Sequence, residues 1–309
     1  MEKALRRPKR SKLARRSSLS LLLLGLPGII FMLVFNYIPL YGVIIPFKNY
    51  KPLLGVFGSP WAGFNNFKFL FQNNQILRIT FNTVFMNILF CLFNTIFGVL
   101  LALLLYEVSR RAVKSYQTIY FMPYFLSWAI VSLVVLGFLD TNGLVNKVLQ
   151  ALGMQTVDFY NSPKYWPSLL SGVEVWKMFG YASIIYYASL VGTDPTYFEA
   201  ASIDGATKLQ QIRRISLPIL LPMIVMLNLM ALGRVFFGDV GLFFNVTQNS
   251  TLLYPTTDVI DTYVLRTLKT LNDVGMSSAA GLYQSFCGLI LVLTSNLIAR
   301  KISPDNALF

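Results

Sequence analysis

The 309-residue chain contains no histidine and only two cysteines, Cys91 and Cys287. The missing histidine is the side chain that most often serves as general base and metal ligand near neutral pH. Both cysteines fall inside long apolar runs, which argues against a disulfide framework or a cysteine-held zinc. No G-x-x-x-x-G-K-[ST] phosphate loop occurs, so the chain is not expected to hydrolyse a nucleotide by itself. Charge is scarce as well: 13% of residues are Asp, Glu, Lys or Arg, against roughly a quarter in a soluble protein.

Apolar residues fill the chain instead. They make up 55% of it, and mean hydropathy is +0.59. Several apolar runs exceed the roughly 20 residues that a helix needs to cross a bilayer. The expected fold is an all-α membrane protein with six transmembrane helices, at about 19–45, 80–105, 118–139, 168–191, 217–237 and 279–299. A basic stretch precedes the first run, as in a signal peptide. The run is too long for one, however, and no small-x-small cleavage site follows. It is expected to remain as an anchor helix, kinked around Pro27 and Pro39.

Orientation follows from lysine and arginine. Segments 1–18, 106–117, 192–216 and 300–309 hold sixteen of the 26 basic residues, whereas the longer loops 46–79, 140–167 and 238–278 hold eight. Both termini are thereby expected in the cytoplasm. The chain divides into a basic N-terminal segment 1–18, a membrane domain 19–299 with a cytoplasmic loop 192–218 between the fourth and fifth spans, and a C-terminal tail 300–309. A net charge of +13 needs no nucleic acid. EKALRRPKRSKLARRS reads as a topology signal resting on anionic membrane lipids, with binding of a soluble partner as the alternative. Asn245-Val-Thr and Asn249-Ser-Thr match the glycosylation pattern, as such short triplets often do by chance.

The most unusual stretch lies in the cytoplasmic loop: EAASIDGATKLQQIRRISLP, Glu199 to Pro218. Asp194 suits a helix N-cap and Pro195 the first helical position, so a short helix starts there. Glu199 lies in the first turns, where a negative charge favours the helix dipole. Ala200, Ala201 and Ala206 leave a smooth surface that another protein could approach closely. After Asp204, Gly205 ends the helix, because glycine adopts the left-handed conformation without penalty. TKLQQIRRISLPILLP restarts a basic helix, and Pro218 and Pro222 mark the return to the bilayer. On physical grounds alone an amphipathic interfacial loop remains an alternative.

Glu199-Ala200-Ala201-x-x-Asp204-Gly205-Ala206, followed by Ile215-x-Leu217-Pro218-x-x-x-Pro222, resembles the EAA loop of bacterial ABC importer permeases. Ile212 stands where that family often carries an aromatic residue. FNYIPLYGVIIPFKNY, GFNNFKFLF, DTYVLRTL and GMSSAAGLYQSFCGLILVLTSNLIARKISPDNALF resemble the carbohydrate-uptake permeases, in their oligosaccharide and polysaccharide-fragment branch. The resemblance implies that Glu199, Ala200, Ala201, Asp204, Gly205 and Ala206 form a coupling helix docking on an ATPase. It also implies a heterodimer with a second, related permease, two ATPase subunits that bind ATP and magnesium, and an extracytoplasmic solute-binding protein. The chain itself would be no enzyme and hold no cofactor. It would sit in a bacterial cell membrane and pass an oligosaccharide by alternating access.

A sugar path needs hydrogen-bonding groups and aromatic faces around a cavity. Glu174, Lys177 and Tyr181 fall at i, i+3 and i+7 in the fourth span and share a helix face, with Trp176 alongside. Asn228 adds a polar group in the fifth span. The structural alternative is a Glu174–Lys177 ion pair and an Asn228 that holds helices together. Tyr124 and Trp128 suit packing or an interface belt. A secondary transporter would want more ionisable groups within its spans and usually an internal repeat. A membrane-embedded enzyme without histidine would have to rely on carboxylates.

Overall fold

The computed structural model describes residues 12–302 apart from 69 and 71–73. Residues 1–11 of the basic segment and 303–309 of the tail lie outside the described residues. Among the described residues the fold is helical, with no strand and one isolated antiparallel bridge between Lys48 and Trp61.

Helix α1 (Lys12–Met32) contains Pro27 and widens into a π turn at Leu33–Tyr37, then tightens to a 3-10 stretch at Ile38–Phe47 beside Pro39. Proline cannot donate to the helical ladder, so the winding changes there. α2 (Gln75–Tyr106) is the longest uninterrupted apolar helix. α3 (Arg110–Phe121) and α4 (Trp128–Leu139) flank a tight turn at Met122–Phe125. α5 is Leu144–Ala151, α6 Trp166–Val191 and α7 Thr196–Ile203. α8 runs Lys208–Leu232, α9 Ile260–Thr270 and α10 Val274–Ile302.

Among the described residues five stretches are long and apolar enough to cross a membrane: Leu21–Phe47, Gln75–Tyr106, Trp128–Ala151, Lys208–Leu232 and Val274–Leu297. α6 matches them in length but carries Glu174 and Lys177 in its middle and is less apolar. Two expected spans are corrected. The run 118–139 is broken, because Pro123 removes a backbone donor and Ser127 starts a fresh helix by accepting from the Ile130 N–H (3.3 Å). The run 217–237 ends early, at Leu232, where Gly233 caps the helix and the backbone unwinds. At its other end α8 continues the basic helix of the loop without interruption, through a π turn at Ile212–Ser216.

α2 and α6 pack along most of their length. Small residues allow it: a Cβ on Gly98 would lie 3.0 Å from the Ala182 Cβ and 3.3 Å from the Tyr186 ring. One buried cluster joins Met86, Phe90, Val131, Trp166, Leu170 and Phe243. A second joins Val99, Ala102, Tyr186, Leu190 and Leu220. In contrast, residues 21–40 are all exposed on an apolar surface, and this part of the chain first meets α10 through Ile38–Phe47. On the loop before α9, Asp258 is buried and paired with Arg266 through two bonds of 3.1 and 2.8 Å.

Candidate functional site: a central cavity and an exposed hairpin

The hairpin α7–α8 is built from local signals. The Asp194 carboxylate accepts from the Thr196 N–H (2.9 Å) and hydroxyl (2.6 Å), the contact expected of a cap, although α7 is regular only from Thr196. These bonds, from the hydroxyl and then the N–H, hold the Asp194 carboxyl below the usual carboxylate range. Gly205 has φ +76°. The Ala206 N–H donates to the Ala201 carbonyl (2.9 Å) and the Gly205 N–H to the Ser202 carbonyl (3.1 Å), closing the helix end. Thr207 then caps α8 reciprocally with Gln210. Gln211 Nε2 donates to Ser202 Oγ (3.0 Å) and fastens the two arms together.

The hairpin is anchored on the end of α2. Phe198 packs on Tyr106 with ring centroids 5.1 Å apart, and Lys208 pairs with Glu107 at 2.9 Å. Its other surface is open: Glu199, Ala200 and Asp204 are exposed, as are Tyr197 and Ile203. A cleft of ≈ 450 Å³ is lined by Ala201, Asp204, Gly205, Ala206, Gln210 and Arg214, among others. Four of the six expected coupling residues thus line this cleft, and Glu199 and Ala200 stand outside it on α7.

A cavity of ≈ 620 Å³ lies between α2, α6, α8 and the unwound segment after α8. Glu174, Tyr181 and Asn228 line it, as expected from their sequence. Lys177 does not. Its ammonium donates to the Tyr124 carbonyl (2.7 Å) and lies over the Tyr124 and Trp128 rings (5.5 and 5.1 Å). Lys177 therefore braces the turn between α3 and α4, and the Glu174–Lys177 ion pair is not formed: among the described residues the ion pairs are Lys208–Glu107 and Arg266–Asp258. Trp176 lines a separate apolar groove with Phe85, Phe93, Phe97 and Phe179. At 100° per residue it lies about 160° around α6 from Glu174, so it faces away from the cavity. Asn228 Oδ1 accepts from Thr95 Oγ1 (3.1 Å) and Cys91 Sγ (2.8 Å), which is the helix-joining role.

The two helix breaks meet at the cavity. Trp128, first residue of α4, donates from Nε1 to Asp239 Oδ2 (2.5 Å) in the segment after α8. That segment is held from α9 and α10: the Gly238 N–H donates to Asp261 Oδ2 (2.6 Å), and Gln284 Nε2 donates to the Phe236 carbonyl (2.7 Å). Unwound backbone beside apolar helices is tolerated where it lines a cavity and finds partners.

These elements coincide with a known pattern. The family described as binding-protein-dependent transport system inner membrane component matches residues 94–304, from within α2 to beyond α10. The chain belongs to this family. Protein LplB of Bacillus subtilis (strain 168) is 33% identical over 288 residues, covering 93% of this permease and 90% of that protein. The polygalacturonan/rhamnogalacturonan transport system permease protein YteP of the same strain is 34% identical over 294 residues, covering 93% and 89%. A crystal structure of a bacterial ABC transporter involved in the import of the acidic polysaccharide alginate superposes with TM-score 0.84 at 34% identity, covering 94% of the permease and 98% of that chain.

Sequence reasoning missed part of the permease cavity. Asn87, Cys91, Asn94 and Thr95 on α2 all line it. Their spacing of four, seven and eight residues is a polar stripe on an otherwise apolar helix, a signal that was present in the sequence. Arg234 and Asp239 also line it. Glycines 233, 238 and 241 around them are the cue to an unwound segment.

Proposed function

We propose that this permease is one of two related membrane subunits of an ATP-driven importer of oligosaccharides. Six spans cross a bacterial cell membrane, with α6 as the fourth, both termini and the loop 192–218 in the cytoplasm, and loops 46–79 and 238–278 outside. The asymmetry of basic residues supports this orientation. Two ATPase subunits bind ATP and magnesium, and an extracytoplasmic solute-binding protein delivers the sugar. The chain itself contributes no catalytic group.

Coupling follows from rigidity. The ATPase engages the open face of α7 and the cleft beside Gly205. α8 runs from that cleft to the central cavity as one helix of 25 residues, or about 37 Å at 1.5 Å per residue. Displacing the hairpin therefore moves the cavity wall at the far end of α8. The anchors Phe198–Tyr106 and Lys208–Glu107 make α2 follow. The two facing walls shift together, and the cavity opens to one side at a time.

The observation that carries the substrate class is the cavity wall itself. Asn87 and Asn94 offer amide groups beside the half-exposed Tyr181 ring, the combination a polyhydroxylated ring requires. The kinship with a polygalacturonan/rhamnogalacturonan permease and an alginate importer points the same way. The test is uptake of labelled oligosaccharides from pectin and alginate digests by a strain lacking this gene. Loss of uptake of at least one, restored by the wild-type gene and not by Glu199→Lys, is expected. Unchanged uptake of every oligosaccharide would reject the function.

A further inference from the structure

Four charged side chains stand in or beside the central cavity, and three are held or enclosed by the protein. Asp239 accepts from Trp128 Nε1 and from the Gly241 and Leu242 N–H groups. Lys177 is held by the Tyr124 carbonyl and two rings. Glu174 is half-buried on α6, with its Oε2 enclosed and unpartnered. Arg234 differs. It lines the cavity and is exposed, and among the described residues its guanidinium makes no ion pair and no hydrogen bond.

Its backbone is fixed nonetheless. Arg234 follows the Gly233 cap of α8, and the turn it starts is closed by the Phe237 N–H donating to its carbonyl (2.8 Å). Gln284 and Asp261 clamp the next residues. A guanidinium carried on a fixed backbone at a cavity wall, with its five donors unused, is a fork for a planar anion. The same cavity presents Tyr181, 48% exposed, stacked on Tyr124 (5.1 Å, 11°), which in turn stacks on Phe121 (5.2 Å, 9°). Three stacked rings make a rigid platform for the C–H face of a sugar. A neutral sugar would use the platform and leave the guanidinium fork without a carboxylate partner.

Resting on the oligosaccharide import proposed above, we infer that Arg234 binds a sugar carboxylate, so that the glycan passing this wall carries uronate residues, with Tyr181 beneath a ring. The test uses the assembled importer, both permeases with their ATPases, in nanodiscs. Binding of labelled tetragalacturonate and tetramannuronate is compared with that of their carboxyl-reduced, neutral counterparts. The wild type is expected to bind at least one acidic tetramer about tenfold more tightly than its reduced form, a preference that falls with added salt. Arg234→Gln brings the ratio to within roughly twofold of one, and Arg234→Lys, which keeps the charge but loses the fork, leaves an intermediate ratio. Should Arg234→Gln fail to assemble, Arg234→Lys must lower the ratio about threefold on its own.

A wild-type ratio near one, binding of neither acidic tetramer, or a preference that survives in the variants overturns the role of Arg234. An importer that binds and transports the reduced tetramers but not the acidic ones keeps its oligosaccharide function and loses only the carboxylate contact. One that transports no oligosaccharide loses both.

Discussion

Gln284 on α10 donates to Asp261 Oδ2 on α9 (2.8 Å) while the same amide nitrogen donates to the Phe236 carbonyl (2.7 Å). Asp261 in turn accepts from the Gly238 N–H (2.6 Å). Two side chains from two different helices thus hold the backbone where α8 has stopped. Without them, the Phe236 carbonyl and Gly238 N–H would lose these partners where the segment lines the cavity.

Gln284→Leu keeps the volume and removes both donated bonds. Leaving such acceptors unpaired costs about 1–3 kcal/mol. The thermal unfolding midpoint of the purified complex should fall accordingly, and import should slow as the segment carrying Arg234 loosens. An unchanged midpoint with full import would show that the clamp has no role.

Burial pushes the Asp261 carboxyl above its usual range, against the opposing hydrogen bonds from Gly238 and Gln284. The folded state therefore holds this proton more tightly than the unfolded chain does. Its contribution to stability is complete below the usual Asp value of about 3.9 and is lost as pH rises through the raised folded value. Removing the titration with Asp261→Asn should flatten that part of the stability–pH curve. Curves for variant and wild type that run parallel above pH about 4 would exclude this group as the cause.

A Cβ added at Gly205 would meet nothing within 4 Å, so the φ of +76° alone limits what fits there. Gly205→Asn should be tolerated, since asparagine visits this region, whereas Gly205→Val should strain the turn by about 1–2 kcal/mol. Uptake and stimulated ATPase activity should fail together in the valine variant and survive in the asparagine one. Equal activity in both would separate the hairpin from coupling.

Arg266 makes two bonds to the buried Asp258 and lies over the Tyr254 ring at 4.4 Å. Arg266→Ala would leave the carboxylate buried and uncompensated, a loss of about 3–5 kcal/mol. Arg266→Lys should recover only part, because an ammonium cannot reproduce the fork. Expression level and melting of the complex report both, and a melting point for Arg266→Ala within a degree or so of wild type would argue against this pair.

Topology is tested by single cysteines in a background lacking Cys91 and Cys287. Positions 51 and 252 should react with an impermeant maleimide in intact cells, and position 208 only after lysis. Leu252 serves better than its neighbour Thr256, whose hydroxyl donates to the Pro163 carbonyl (2.9 Å) and is half-buried. External labelling at 208 would invert the orientation and remove the hairpin from the ATPase side.

The sequence by itself determined whatever depends on a few consecutive residues. Apolar runs mark the long helices, because spanning length is a local property. The cap at Asp194 before α7 and the left-handed turn at Gly205 after it were legible because such signals act within one turn of helix. The Glu174–Tyr181 face was legible because residues seven apart return to one side of a helix. Tertiary structure decided what depends on partners far along the chain. Lys177 chose the Tyr124 carbonyl, 53 residues away, over Glu174 on its own helix. Asn228 found Thr95 across 133 residues. The unwound segment around Arg234 persists because Asp261 and Gln284 reach it from two other helices. In an apolar medium every exposed backbone group must find such a partner, and which one it finds is settled by how the helices pack.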